Sequence, residues 1–235
     1  MVGITANQYW EVIDKMQIDI LCSDPTHPVN QWLAIWIEKR QVEHDIRLYR
    51  KKVDLRGGDV LFLISCAELI NQTTRASFAH SLVIHASDLP KGRGWSPHVW
   101  SILEGATELT VTLLNAEDKV DSGAVWAKEK IKIPRHYVFD EINAHIFDCE
   151  LRLMEKALVM IAKGEAPFDQ DNIGASYYPR RTSADSEISP DKSISEVFEL
   201  LRISDPDRYP AFVRYRNHVY SLTLKKMCTD ETDRD

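Results

Sequence analysis

The chain has 235 residues, 44% of them hydrophobic and 28% charged, with a net charge of −7. That length suits one medium domain with a substantial core. The acidic balance argues against an electrostatic grip on nucleic acid, which relies on clustered Lys and Arg. No apolar run approaches the roughly 18 residues of a spanning helix, and residues 1–10 lack the basic flank and apolar stretch of a secretory leader. The four cysteines, Cys22, Cys66, Cys149 and Cys228, are scattered with no CxxC pair. Cys22 and Cys66, in apolar strand-like runs, read as small buried hydrophobes, and the set fits a reducing cytoplasm.

In chain order, residues 5–15 predict an amphipathic helix on Tyr9, Trp10, Val12 and Ile13. A strand over 17–22 follows, then a polar turn and a helix over 30–39 carrying Trp32, Leu33, Ile35, Trp36 and Ile37. Strands are expected over 45–49 and 59–65, the second a continuous apolar run of the kind buried on both faces of a parallel sheet. A helix over 67–78 leads to a strand over 81–85, and a helix over 97–104 to a strand over 108–114. A long helix over 137–162 carries Ile142, Ile146, Leu151, Met154, Leu158 and Ile161 at near-helical spacing. The alternation implies an α/β fold, a mostly parallel sheet with helices on both faces. Ligands then collect at the carboxyl edge of the strands, where His85 falls.

Three parts are expected: a core over 1–163, a Pro/Gly/Ser-rich linker or arm over 164–192, and a small carboxyl-terminal part over 193–235. The last holds a helix at 194–202, a hairpin across 212–224 and a polar tail. His98, His136 and His145 have no metal-ligand spacing, so no metal is expected. There is no GxxxxGK[ST] phosphate loop, and Gly92-Arg93-Gly94 stands too late after its strand for a dinucleotide fingerprint.

The chemistry-bearing stretch runs from His85-Ala86-Ser87-Asp88-Leu89-Pro90 through Arg93-Gly94-Trp95-Ser96-Pro97 to Asp121-Ser122-Gly123. Alone, a histidine ending a strand is more often a hydrogen-bonded structural residue, and an Asp-x-Gly is usually a turn. In this order, with 36 residues from 85 to 121, the stretch resembles the active-site core of 10-formyltetrahydrofolate-dependent formyltransferases. The resemblance implies that His85 and Asp121 are the catalytic pair, an imidazole for the oxyanion and a carboxylate for the proton relay. It implies 10-formyltetrahydrofolate as co-substrate, its pterin held by Cys66, Ala67, Glu68, Leu69 and Ile70 and by the segment from Asn115 through Asp118 to Val120. Arg93 either contacts the folate tail or pins the loop.

One departure stands out. The family pattern is Asn-x-His, whereas Val83 occupies the amide position here, which leaves Ser87 as a nearby replacement donor. Val83→Asn is therefore expected to be tolerated or mildly activating. The His85–Pro97 stretch, with the segments at 178–188 and 201–212, looks closest to sugar N-formyltransferases of bacterial surface-polysaccharide (lipopolysaccharide, O-antigen) pathways. Those act on nucleotide-diphosphate amino-deoxysugars, and many are dimers. Substrate contacts are then expected from Ser87, Trp95, Arg180 and Arg181, although both arginines read equally as solvated surface residues. Three other readings stand beside it. A methionyl-tRNA formyltransferase would add a basic carboxyl-terminal domain, and a glycinamide ribonucleotide enzyme would keep Asn-x-His. The third is a descendant that binds folate or a nucleotide sugar without turnover.

Overall fold

The computed structural model describes residues 14–228. The expected helix over 5–15 therefore lies almost wholly outside the described residues. Among those described, a six-stranded sheet forms the centre, with strand order β2-β1-β3-β4-β6-β7. Its first four members are β1 (Gln17–Leu21), β2 (Asp45–Tyr49), β3 (Gly58–Leu63) and β4 (Phe78–His85). These four run parallel, with Ile18 beside Val60 and Leu63 beside Val83. β6 (Glu108–Asn115) then pairs antiparallel with β4, setting Thr112 opposite His85, and β7 (Val125–Lys132) pairs antiparallel with β6.

Alternation along the strands sorts residues between the two faces. Ile18, Ile20, Val60, Phe62, Ile64, Leu82 and Ile84 point into the larger core, under α1 (Val29–Arg40) and α4 (Phe139–Ala162). α1 buries Val29, Leu33, Trp36 and Arg40, while α4 buries a stripe through Ile142, Ile146, Cys149, Leu153 and Ala157. Each fully buried Leu or Ile here contributes roughly 1.5–3 kcal/mol. Glu155 of α4 ties the helices together, accepting from Trp36 Nε1 and Arg40 Nε, each at 2.7 Å.

The opposite face carries Leu21, Leu61, Leu63, Ile70 and Phe78, with Tyr49, Leu55, Cys66, Val83 and Ala116 packed against them. Here the structure departs from the expected helix over 67–78. Only α2 (Gln72–Arg75) forms, capped by Asn71 Oδ1 accepting the Thr74 N–H at 2.9 Å. Residues before it are held as loop by outside partners. Ala67 N–H donates to Ser23 Oγ, and Glu68 Oε1 accepts the Lys52 N–H. β4 accordingly starts at Phe78 rather than residue 81.

β7 is absent from the sequence reading, because Lys128, Lys130 and Lys132 interrupt its apolar pattern. Their side chains alternate outward while Ala127 and Ile131 are buried. α3 (Pro97–Leu103) packs Ile102 into the larger core. After α4 the chain returns over the sheet edge. Phe168 exchanges backbone hydrogen bonds with Val125, and β8 (Tyr177–Tyr178) lies parallel to the two-residue β5 (Arg93–Gly94). β9 (Glu187–Ile188) joins β10 (Ala211–Tyr215) and β11 (His218–Leu222) in a small sheet beside α5 (Ile194–Ile203). The β10–β11 turn places Arg216 and Asn217 at φ 47° and 64°, the left-handed pair of a two-residue hairpin. No helix among the described residues is long and apolar enough to cross a membrane.

Candidate active site

β4 ends at His85, on the carboxyl edge of the parallel strands. Its ring is buried, and Nε2 lies 2.9 Å from the Gly92 carbonyl. A carbonyl only accepts, so Nε2 carries the proton. Nδ1 then faces Asp121 Oδ1 at 3.6 Å, beyond a good hydrogen bond. The chain thus brings together two residues 36 positions apart and leaves a short gap between them.

Asp121 sits in the left-handed region at φ 54°, a conformation that Asp tolerates better than most residues. Several bonds hold it there. The Gly94 N–H donates to Oδ2 at 2.8 Å, and the Asp121 carbonyl accepts from Arg93 Nε at 3.0 Å and Gln170 Nε2 at 3.1 Å. Two glycines make the close approach of strands and loops feasible. At Gly94 (φ 99°) any Cβ would strike the Tyr178 carbonyl, and at Gly123 it would strike that of Asn115.

Arg93 is 1% exposed. Its guanidinium reaches Asp121 O, Tyr177 OH (3.2 Å), Gln170 Oε1 (2.8 Å) and Asn172 Oδ1 (3.1 Å). Of the two roles expected for Arg93, these bonds describe the loop contact: its guanidinium joins the Asp121 turn to Gln170, Asn172 and Tyr177 of the returning segment. Ser87 is buried, its carbonyl accepting from Thr112 Oγ1 at 2.7 Å, and its Oγ has no partner among the described residues. A Cβ built on Gly92 would stand 3.5 Å from that Oγ, which puts the hydroxyl beside the loop that anchors His85.

Val83 shares His85's face of β4 and bridges two apolar clusters, one with Leu63 and Ile70, the other with Leu89, Leu114 and Val125. The two expected cofactor segments flank this patch. Arg75 links them, donating from Nη1 to the Ile70 carbonyl at 2.5 Å and from Nη2 to Asp118 Oδ1 at 2.6 Å. Leu69 and Val120 stand exposed on the two segments. Some groups expected to meet cofactor already have protein partners: the Leu69 carbonyl accepts from Lys52 Nζ, and Asn115 Oδ1 from Trp126 Nε1.

On the other side of the loop, the Arg180 guanidinium stacks 4.7 Å over the half-exposed Trp95 ring. Arg181 Nη2 donates to the Asp185 carbonyl at 2.8 Å, and its Nε is buried without a partner among the described residues. Burial lowers the Arg181 pKa. His98, on the first turn of α3, is pushed down to about 4 by burial, helped by the nearby charges of His27, His85 and Arg181. His27 is also pushed down to about 4, again mainly by burial. Both are therefore neutral at pH 7. Among the described residues, no group of three or more His, Cys, Asp or Glu side chains is placed to hold a metal ion.

Sequence reading missed Arg75, Gln170 and Asn172. The only available signal for the last two was their position in the Pro/Gly/Ser-rich segment, which reads as linker and gives no hint that it folds back onto Asp121.

A family model described as formyl transferase matches residues 21–158. Among solved structures, a methionyl-tRNA formyltransferase from Clostridium thermocellum superposes with a TM-score of 0.77 at 20% identity, covering 91% of this chain and 94% of that one. HypX from Aquifex aeolicus in complex with tetrahydrofolic acid gives 0.72 at 20% identity, covering 90% of this chain and 38% of that one. A sugar N-formyltransferase from Shewanella sp. FDAARGOS_354 gives 0.69 at 14% identity, covering 92% and 99%. At these identities the structural likenesses establish the fold alone.

Proposed function

This chain belongs to the formyl transferase family, and on that premise we propose that it moves the formyl group of 10-formyltetrahydrofolate to the amine of a nucleotide-diphosphate amino-deoxysugar. The observation that carries the reading is the convergence of His85 and Asp121 at 3.6 Å on the strand edge. In this reading the flat face of the pterin lies against the apolar side chains around Val83. Val83 there is half-buried among apolar side chains, and Cys66, Ile70 and Ala116 of the two expected cofactor segments belong to the same cluster. Tetrahydrofolic acid bound to HypX on a like fold supports a folate donor.

Bound there, the co-substrate supplies an acyl-level formyl carbon and an amine leaving group. The residues of the chain then have distinct tasks. The Gly92 carbonyl anchors Nε2–H and so turns Nδ1 toward Asp121 and the gap between them. When protonated, Nδ1–H donates to the oxyanion that develops as the acceptor amine attacks. Asp121 balances that imidazolium and takes up the proton the amine loses, a proton that ends on the departing folate nitrogen. The products are the formamide and tetrahydrofolate. Ser87 Oγ supplies the second donor that the family's asparagine would give at position 83.

Arg180 and Arg181 are assigned to the diphosphate, with Trp95 stacked beneath Arg180. The sugar N-formyltransferase neighbour supports this acceptor class. The test is a panel of UDP-, dTDP- and GDP-linked amino-deoxysugars, incubated with 10-formyltetrahydrofolate and read by mass for the gain of one formyl group. Methionyl-tRNA joins the same panel. Its formylation, with every sugar unchanged, would overturn the acceptor assignment.

A further inference from the structure

We infer that Gln170 is a positioning residue for Asp121, so that the segment after α4 is part of the catalytic apparatus rather than a tether. This rests on the reading of His85 and Asp121 as the working pair. Gln170 Nε2 faces two carbonyls, Asp121 O at 3.1 Å and Gly123 O at 2.7 Å, while Oε1 accepts from Arg93 Nη2 at 2.8 Å. Three polar neighbours therefore fix the amide's orientation: its NH2 group points at two acceptors and its oxygen at a donor. Gln170 clasps the turn at both ends, across the residue that carries the carboxylate and the glycine that lets the chain pass Asn115.

The carboxylate needs such a clasp. Asp121 holds a left-handed backbone conformation, which persists only where surrounding structure over-determines it. Within the core, the turn is held by Arg93 Nε on the Asp121 carbonyl and by the Gly94 N–H on Oδ2. Arg93 is in turn oriented by Gln170 and Asn172, both contributed by the returning segment. That segment is itself anchored on each side. Phe168 pairs with Val125, and β8 pairs with β5. Gln170 stands between these anchors with little freedom to shift. A carboxylate misplaced by about 1 Å is enough to cost on the order of a hundredfold in rate.

The deciding readout is His85 itself, which needs no acceptor. Imidazole nitrogen resonances of His85 are recorded at fixed pH for the unmodified chain, Asp121→Asn, Gln170→Ala and the isosteric Gln170→Glu, which cannot donate to the two carbonyls. Thermal midpoints and tetrahydrofolate binding are measured on the same samples. Asp121→Asn displaces the resonances. Both Gln170 variants are expected to displace them part-way in the same direction, with tetrahydrofolate affinity within about threefold. Deformylation of 10-formyltetrahydrofolate with the pooled amino-sugar nucleotides should fall by about tenfold to a hundredfold. Resonances coinciding with those of the unmodified chain in both variants would overturn the inference. Failure of both variants to fold would also overturn it, making Gln170 a structural residue. If Asp121→Asn leaves His85 undisturbed, the pair itself is lost and the fault lies in the underlying reading.

Discussion

The face of the sheet under α1 and α4 and the face that carries His85 draw on the same strands but are closed by different means. Under the helices, Ile20, Phe62 and Leu82 meet Leu33, Leu153 and Leu158, and closure is apolar packing between long regular elements. On the other face, among the described residues, the helical segments are short, the four-residue α2 and a single 3-10 turn over Lys52–Asp54. Closure there comes from loops and the returning segment, held by Arg75, Arg93 and Gln170 through directional bonds to carbonyls. Close packing under the helices leaves no room for a ligand, whereas on the other face hydrogen-bonded loops flank the half-buried Val83. One face is closed chiefly by packing, and the other combines apolar packing with directional bonds.

That contrast can be broken by mutations that should separate the two. His85→Asn and Asp121→Asn should each lower formyl transfer by about a hundredfold to ten-thousandfold with little change in thermal midpoint. Near-normal rates in both would end the catalytic assignment. Leu158→Ala, on the helix-covered face, should do the reverse. It is expected to cost about 2–5 kcal/mol in urea unfolding while turnover per folded molecule stays near normal. A rate loss matching the Asp121 variant would show that the two faces are not separable.

Val83→Asn probes the boundary between them. The amide would lie between two apolar clusters, so about 1–3 kcal/mol of stability should be lost. If Ser87 substitutes only partly for the family's amide, turnover per folded molecule should be unchanged or raised. A steep fall would show that Val83 packing shapes the donor site.

A pH-dependent effect concerns Glu150, buried on α4, whose carboxyl is pushed up to about 8 by burial. The folded chain keeps a proton that the unfolded chain releases. Stability therefore falls as pH rises from the ordinary carboxylate value of 4.5 to about 8, then levels off. Glu150→Gln should remove that slope. Unfolding midpoints of the two proteins should diverge between pH 5 and pH 8 and run parallel above it, and a constant offset at every pH would refute the assignment.

Much of this was legible in the residues. Strand alternation and the α1 and α4 stripes are local patterns with a fixed period, and they predicted the sheet. The pairing of His85 with Asp121 was implied by the family resemblance, and the structure sets the two side chains 3.6 Å apart. The helix expected over 67–78 failed because the hydrogen bonds that hold residues 67 and 68 in a loop come from Ser23 and Lys52, distant in sequence. β7 escaped notice because lysines mask its period. Arg93 was left open between ligand and loop, and its bonds to Gln170 and Asn172 of the returning segment became visible only in the folded chain.

The amino-acid sequence by itself determined which residues carry reactive groups and which side of each strand they face, since backbone periodicity needs no partner. The tertiary structure alone decided how Asp121 is held and which segment holds it. Those bonds join groups from opposite ends of α4, and no local pattern encodes a contact whose donor and acceptor meet only after the chain has folded back.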